Sequence, residues 1–335
     1  MTDYDAILLV SFGGPEAPDE IVPFLENVTR GRGIPRERLE QVGAHYHLFG
    51  GRSPINDQCR ELIAALEPAL AKAGIDLPVY WGNRNWTPML QDTVQQMSDD
   101  GIKHAIAFVT SATSSYSGCR QYRENILAAR EAVDGAPMID KIRQYYDHPG
   151  FIEPMIDNVR SALASVPEGS RLVFTAHSIP MSMASTSDYE AQLTEASRLI
   201  AEAVGHGEWD LVWQSRSGPP QVPWLEPDVN DHLESLVDGG GVPGVVIVPV
   251  GFISDHMEVM YDLDTEAKAT AERLDLPFAR AATVGTDPRF VAAIVELIEE
   301  RRSGAPKRAL GTLEIRPDVC RENCCPAPQR PAGRP

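Results

Sequence analysis

Short apolar runs at 6–12, 78–82, 105–111, 172–176, 211–214 and 245–252 punctuate the chain. They are rich in Val, Ile and aromatic residues. Several show no polar alternation, which is the pattern of strands buried on both faces of a parallel sheet. Between them apolar residues recur at helical spacing over 55–72, 88–98, 122–133, 189–204, 266–274 and 288–301. Strand–helix alternation of this kind predicts an α/β protein with doubly wound sheets. The order runs twice and breaks near Pro149-Gly150. The 335 residues therefore divide into an N-terminal domain over 1–149 and a second over 150–287, with the helix at 288–302 packing back on the first and a cysteine-containing tail over 303–335.

In open α/β folds ligands bind at the carboxyl ends of the strands, so residues just after each apolar run carry the candidate chemistry. His177 ends one run, and imidazole can take a proton near neutral pH or bind a divalent metal. After the run at 245–252, Glu258, Asp262 and Glu266 recur every four residues. On a helix they stack along one face. Such a row is either a solvated acidic surface or a path for a hard cation or protons; if buried without a cation, its carboxyl groups should hold their protons more tightly than usual. After the first run, Gly13-Gly14 allows a close backbone approach. The loop-rich stretch beyond it offers Arg30, Arg32, Tyr46, Arg52 and Ser53 to grip carboxylates. Gly239, Gly241 and Gly244 match the spacing of a dinucleotide loop, but they follow a helix and precede a strand, the reverse of what that loop needs.

Charge narrows the field further. Thirty basic and 48 acidic side chains give −18, which disfavours nucleic acid and anionic lipid as partners. The start is acidic and lacks a basic leader, and no apolar run reaches the ~18–20 residues of a bilayer span. A cytoplasmic protein without a membrane anchor, working as a monomer, is expected. Three of the five cysteines crowd at Cys320, Cys324 and Cys325. In a reducing compartment that argues for a metal or cluster site over disulfides.

Five colinear motifs covering most of the chain resemble the ferrochelatase family: Leu9-Val-Ser-Phe-Gly-Gly-Pro15, Gly50-Gly-Arg-Ser-Pro54, Thr175-Ala-His-Ser-Ile-Pro180, Trp213-Gln-Ser-Arg-Ser-Gly218 with Pro223-Trp-Leu225, and Gly251-Phe-Ile-Ser-Asp-His-Met-Glu258. The resemblance implies two Rossmann-like domains with a porphyrin cleft between them, and insertion of Fe²⁺ into a porphyrin during haem biosynthesis. It implies His177 and Glu258 as the catalytic, metal-binding pair, with Asp262 and Glu266 continuing the acidic line. Ser53 and Tyr122 match positions that contact the porphyrin, and Arg30 and Tyr46 are candidates for its propionates. Members with terminal cysteines carry a [2Fe–2S] cluster, which here would fall to Cys119, Cys320, Cys324 and Cys325, with zinc the competing occupant. Such members resemble the type that uses coproporphyrin III; protoporphyrin IX is the alternative substrate. Phe12 stands where some members have a tyrosine able to ligate the product iron, so that ligand is lost here.

Overall fold

The computed structural model describes residues 3–328. Met1, Thr2 and 329–335, the end of the expected tail, lie outside the described residues. The chain runs β1 (Ala6–Ser11), α1 (Ile21–Val28), α2 (Arg36–His47), α3 (Ile55–Lys72), β2 (Val79–Asn83), α4 (Leu90–Asp99), β3 (His104–Val109), α5 (Gln121–Glu131) and β4 (Met138–Lys141). It continues with α6 (Pro149–Leu163), β5 (Arg171–His177), α7 (Met181–Ala184), α8 (Tyr189–Ala203), β6 (Trp209–Gln214), α9 (Val229–Asp238) and β7 (Val245–Val248). Then come α10 (Met257–Tyr261), α11 (Lys268–Arg273), β8 (Phe278–Arg280) and α12 (Pro288–Ser303). All strand pairs are parallel, in the orders β2-β1-β3-β4 and β6-β5-β7-β8. The same order appears twice, and the α/β architecture expected from the alternation is present.

Burial explains why the strands lack polar alternation. Ile7 and Leu9 of β1 face one core while Ala6, Leu8 and Val10 face another, filled by α4 and α5. Likewise Leu172 and Phe174 of β5 face the first core, and Val173 faces a third, behind α9 and α11. The core shared by both sheets is filled by α3, α6, α8 and α12. At its centre Tyr145 stacks on Phe108 at 5.1 Å, and Phe290 lies 5.9 Å from Tyr145 and 6.2 Å from Phe151. Each such side chain contributes ~1.5–3 kcal/mol by leaving water. Beside this centre Arg143 and Glu300 form a buried two-pronged ion pair, at 2.7 and 2.9 Å. It fastens α12 to the segment that crosses between the sheets.

Several boundaries differ from the sequence reading. The run at 245–252 is strand only to Val248, because Pro249 lacks the N–H that would continue the ladder. The helix expected at 266–274 is α-helical only over Lys268–Arg273; Asp262–Ala267 forms a π-helical turn instead. β4 and β8 carry no apolar run. They are short edge strands, half-exposed, with Asp140, Lys141 and Arg280 among their residues. The glycine-rich 239–244 stretch lies between α9 and β7 and opens no helix. Among the described residues no helix is long and apolar enough to cross a membrane.

Candidate active site

β5 and β6 deliver His177 and Gln214 side by side at the carboxyl edge of the second sheet. After β7 the chain must pass over β5 to bring the acidic segment to the same edge. Gly251 makes this possible: its N–H donates to the Thr175 carbonyl at 3.1 Å, and a Cβ there would stand 2.5 Å from that of Ala176. His256 then caps α10 by accepting from the Glu258 N–H through Nδ1 at 3.2 Å. The result places Glu258 Oε1 3.5 Å from His177 Nε2. The His177 Nδ1–H is occupied by the Ser178 carbonyl, which turns Nε2 toward the carboxylate.

The pair is partly open to solvent: 32% of the His177 side chain and 48% of Glu258 remain exposed. Two cavities of about 530 Å³ lie elsewhere, one lined by Trp213, Arg216 and Asp228, the other by Glu190, Thr194 and Glu195. Neither is lined by a member of the pair. Burial opposes the His177 imidazolium, but the Glu258 charge outweighs it, with help from the Ser178 carbonyl and Asp262; His177 is pushed up to about 9. Burial would raise Glu258, yet the His177 charge prevails and holds it at about 2. The expectation of raised carboxyl groups fails for Glu258 because its cation is built in. It holds for Asp262, pushed up to about 7 by burial against the hydroxyl of Ser215, with Glu258 and Glu266 adding to the rise.

A sign follows for stability. His177 titrates higher folded than unfolded, so its contribution is complete below ~6.5, its unfolded value. It is lost as pH rises through about 9. A scan of Tm between pH 6.5 and 9.5 should fall less steeply for His177→Gln than for the parent. Parallel curves would contradict the pairing.

The π-helical turn arranges the rest of the row. Residues four apart on an α-helix drift by ~40°, and a wider i to i+5 turn counters that drift. Asp262 accepts from Ser215 Oγ and from Gln214 Nε2 at 3.3 Å. Ser215 reaches it from a left-handed backbone, φ +63°, a costly conformation for serine that often marks a site. Glu266 is exposed and lies at the far end, near His45 and Tyr261, whose rings stack at 3.7 Å and 9°. That stack joins α2 to the acidic helix.

The remaining candidates belong to the first half of the chain. Ser53 is buried at the end of β1, its N–H donating to the Pro15 carbonyl at 2.7 Å, and it packs against Gly14 so closely that a Cβ there would stand 2.7 Å from its own. Tyr122 is buried on α5 beneath the Arg84 guanidinium, 4.4 Å from the ring centre; Arg84 also lies 5.8 Å from the Phe12 ring. Tyr46 packs edge-on against Phe24 at 6.3 Å and feels the Glu258 charge. Arg30 is exposed in the turn after α1, and nothing ties it to the cleft floor. Arg84, His45 and Gln58, whose amide donates to the Asp255 carbonyl at 2.9 Å, carry no signal in the sequence analysis, and Gln214 and Ser215 stand there only within the motif from Trp213, without a role. Gln214 ends β6 as His177 ends β5, and Ser215 comes next, a positional signal that could have found them.

Four thiols gather away from the cleft. Cys119 is buried in the turn before α5, with Cys320 donating to it and Gln144 Nε2 2.7 Å from its sulfur. Cys324 and Cys325 stand 3.6 Å apart. Donation from Cys320 outweighs burial and, with Lys141, Gln144 and Arg123, brings Cys119 down to about 5, while Cys320 moves up in response. Among the described residues no three His, Cys, Asp or Glu side chains stand closed at metal-ligand spacing. Cys59 is separate, buried in the shared core.

Comparison with known proteins bears on all of this. The ferrochelatase family model matches residues 4–302. The coproporphyrin III ferrochelatase of Streptomyces coelicolor is 54% identical, with 98% of this chain and 96% of that protein covered. The ferrochelatase of Rhodopirellula baltica is 53% identical over 99% of this chain and 97% of its own. In fold, the chain is similar to SirB from Bacillus subtilis, with a TM-score of 0.57 at 15% identity, covering 90% of this chain and 97% of that one. The chain belongs to the ferrochelatase family.

Proposed function

We propose that this protein inserts Fe²⁺ into coproporphyrin III, forming coprohaem for haem biosynthesis in the cytoplasm, as a monomer without a membrane anchor. The observation that carries the reading is the meeting of His177 and Glu258 at 3.5 Å, both partly open to solvent. The Streptomyces coelicolor relative, named for coproporphyrin III, supports the choice of substrate. The cleft lies between two Rossmann-like domains, 1–149 and 150–287.

Metallation requires two pyrrole N–H protons to leave as Fe²⁺ enters. In the free protein His177 already holds a proton and Glu258 is its counter-ion. Fe²⁺ arriving at Glu258 neutralises the charge that keeps the imidazole protonated. His177 then releases that proton and its Nε2 becomes the general base for the pyrrole. Asp262, near 7, is the carboxyl suited to take protons up and pass them outward, with Glu266 at the solvent end of the row, which serves as the path for iron or protons. Ser53, Tyr122, Tyr46 and Arg30 contact the macrocycle and its propionates. Steering a saddled macrocycle onto the imidazole spends binding energy on distortion.

Turnover on the two porphyrins tests the substrate. Coproporphyrin III has four carboxylates against two, and each extra charge-assisted contact is worth ~1.5–3 kcal/mol. Its kcat/KM should exceed that of protoporphyrin IX by at least about tenfold. Equal or reversed values would overturn this choice.

Four cysteine thiols are the donor set of a [2Fe–2S] cluster, and this chemistry, not their spacing in the free chain, supports the reading. The Cys119 thiol is held below its usual range by Cys320, and Gln144 and Arg316 donate to sulfur atoms of the set. Cys119, Cys320, Cys324 and Cys325 would hold it, and when bound it supplies a redox-active anchor for the tail. Anaerobically purified protein with neither iron–sulfur absorbance nor zinc would remove this reading.

A further inference from the structure

The tail after α12 touches both halves of the molecule. The Arg308 N–H donates to Glu300 at 3.3 Å and the Leu310 N–H to the Asp147 carbonyl at 2.9 Å. Thr312 donates its N–H and hydroxyl to Glu195 on α8. Arg316 then donates one Nη to Asp188, the residue before α8, and the other to Cys324 Sγ at 3.5 Å. Asp188 and Glu195 are seven residues apart, so the tail is fastened along two turns of one helix face. The chain returns to the first half, where Arg120 donates to the carbonyls of Glu322 at 3.1 Å and Cys324 at 3.3 Å.

Arg316 is the hinge of this path. Its charge faces Asp188 on one side and the three tail thiols on the other. A planar fork serves both at once, which a lysine ammonium on a flexible stem does less well. Asp188 occupies the cap position of α8 but makes no side-chain cap bond to the helix; it holds Arg316 instead. The next residue, Tyr189, donates its hydroxyl to the His177 carbonyl at 3.0 Å and stacks on Trp213 at 5.9 Å. The start of α8 is thus pinned between the thiol site and the main chain of His177.

We propose that Arg316 is a positioning residue that couples the four-thiol site to His177 through Asp188 and Tyr189. With the thiols engaged, Arg316 holds Asp188 and Tyr189 holds the strand end that carries the imidazole. The proposal rests on the reading that the four cysteines hold one cluster.

The test uses the full chain, purified anaerobically. It measures iron and acid-labile sulfide, the cluster's reduction potential, and steady-state iron insertion into coproporphyrin III. Asp188→Asn cuts the path at the end remote from the thiols. It should keep wild-type cluster content and potential, lose about fivefold in kcat, the size of one hydrogen bond, and leave the porphyrin KM unchanged. Arg316→Ala should show the same kcat loss and a lower potential, because a cation beside the thiolates favours the more negative reduced cluster. Adding Tyr189→Phe to Asp188→Asn should cost nothing more, since both break one chain of contacts. A cluster-loaded Asp188→Asn protein with wild-type kcat, or a fully additive double variant, overturns the coupling alone. Wild-type protein without iron and sulfide overturns the four-thiol reading and the coupling with it.

Discussion

Replacing His177 by alanine should lower kcat for iron insertion by at least about 100-fold while porphyrin binding survives. The lower bound is the usual worth of a positioned proton acceptor. The imidazole is oriented from three directions: the Ser178 carbonyl fixes Nδ1, Tyr189 holds its own carbonyl, and Glu258 faces Nε2. Alanine removes the imidazole that stands 3.5 Å from Glu258 and with it the carboxylate's main counter-ion. Glu258 should then titrate higher, as burial alone dictates. Fluorescence titration with free-base coproporphyrin III separates binding from chemistry. A variant that binds porphyrin and still turns over near the parental rate would remove His177 from the mechanism.

The second large effect is on stability. Glu300→Ala should destabilise the fold by ~3–5 kcal/mol, because it strands a buried guanidinium. Arg143 and Glu300 keep only 1% and 3% of their side-chain surface. Arg143 also donates to the carbonyls of Gln144 and Arg308, so the loss propagates to the Cys119 contact and to the tail. Chemical denaturation with a matched control, Glu131→Ala on the exposed end of α5, checks the size. A change below ~1 kcal/mol at Glu300 would mean that Arg143 finds another partner.

The contrast between these sites shows what a sequence reveals. His177 and Glu258 were visible because each follows an apolar run, and parallel sheets gather the ends of such runs at one edge. β1 and β5 were visible for a related reason: a strand buried on both faces shows no alternation of polar and apolar residues. Gln214 and Ser215 close an apolar run as His177 does, but that they hold Asp262 exists only once β6 lies beside β5. The π-helical turn was hidden because the spacing of Glu258, Asp262 and Glu266 fits an α-helix equally well. Nor does the chain announce that Arg143 would be sealed in the core or that Arg316 would reach Asp188, 128 residues earlier. Those contacts depend on where two distant helices settle.

The central claim is that the imidazole of His177 and the carboxylate of Glu258 face one porphyrin in the cleft between the sheets. A crystal structure with free-base coproporphyrin III tests it most directly. The account predicts a saddled macrocycle with Nε2 of His177 within hydrogen-bond reach of a pyrrole nitrogen, and Glu258 on the same face. A macrocycle bound elsewhere, or in the cleft with both groups out of reach of its nitrogens, would contradict it.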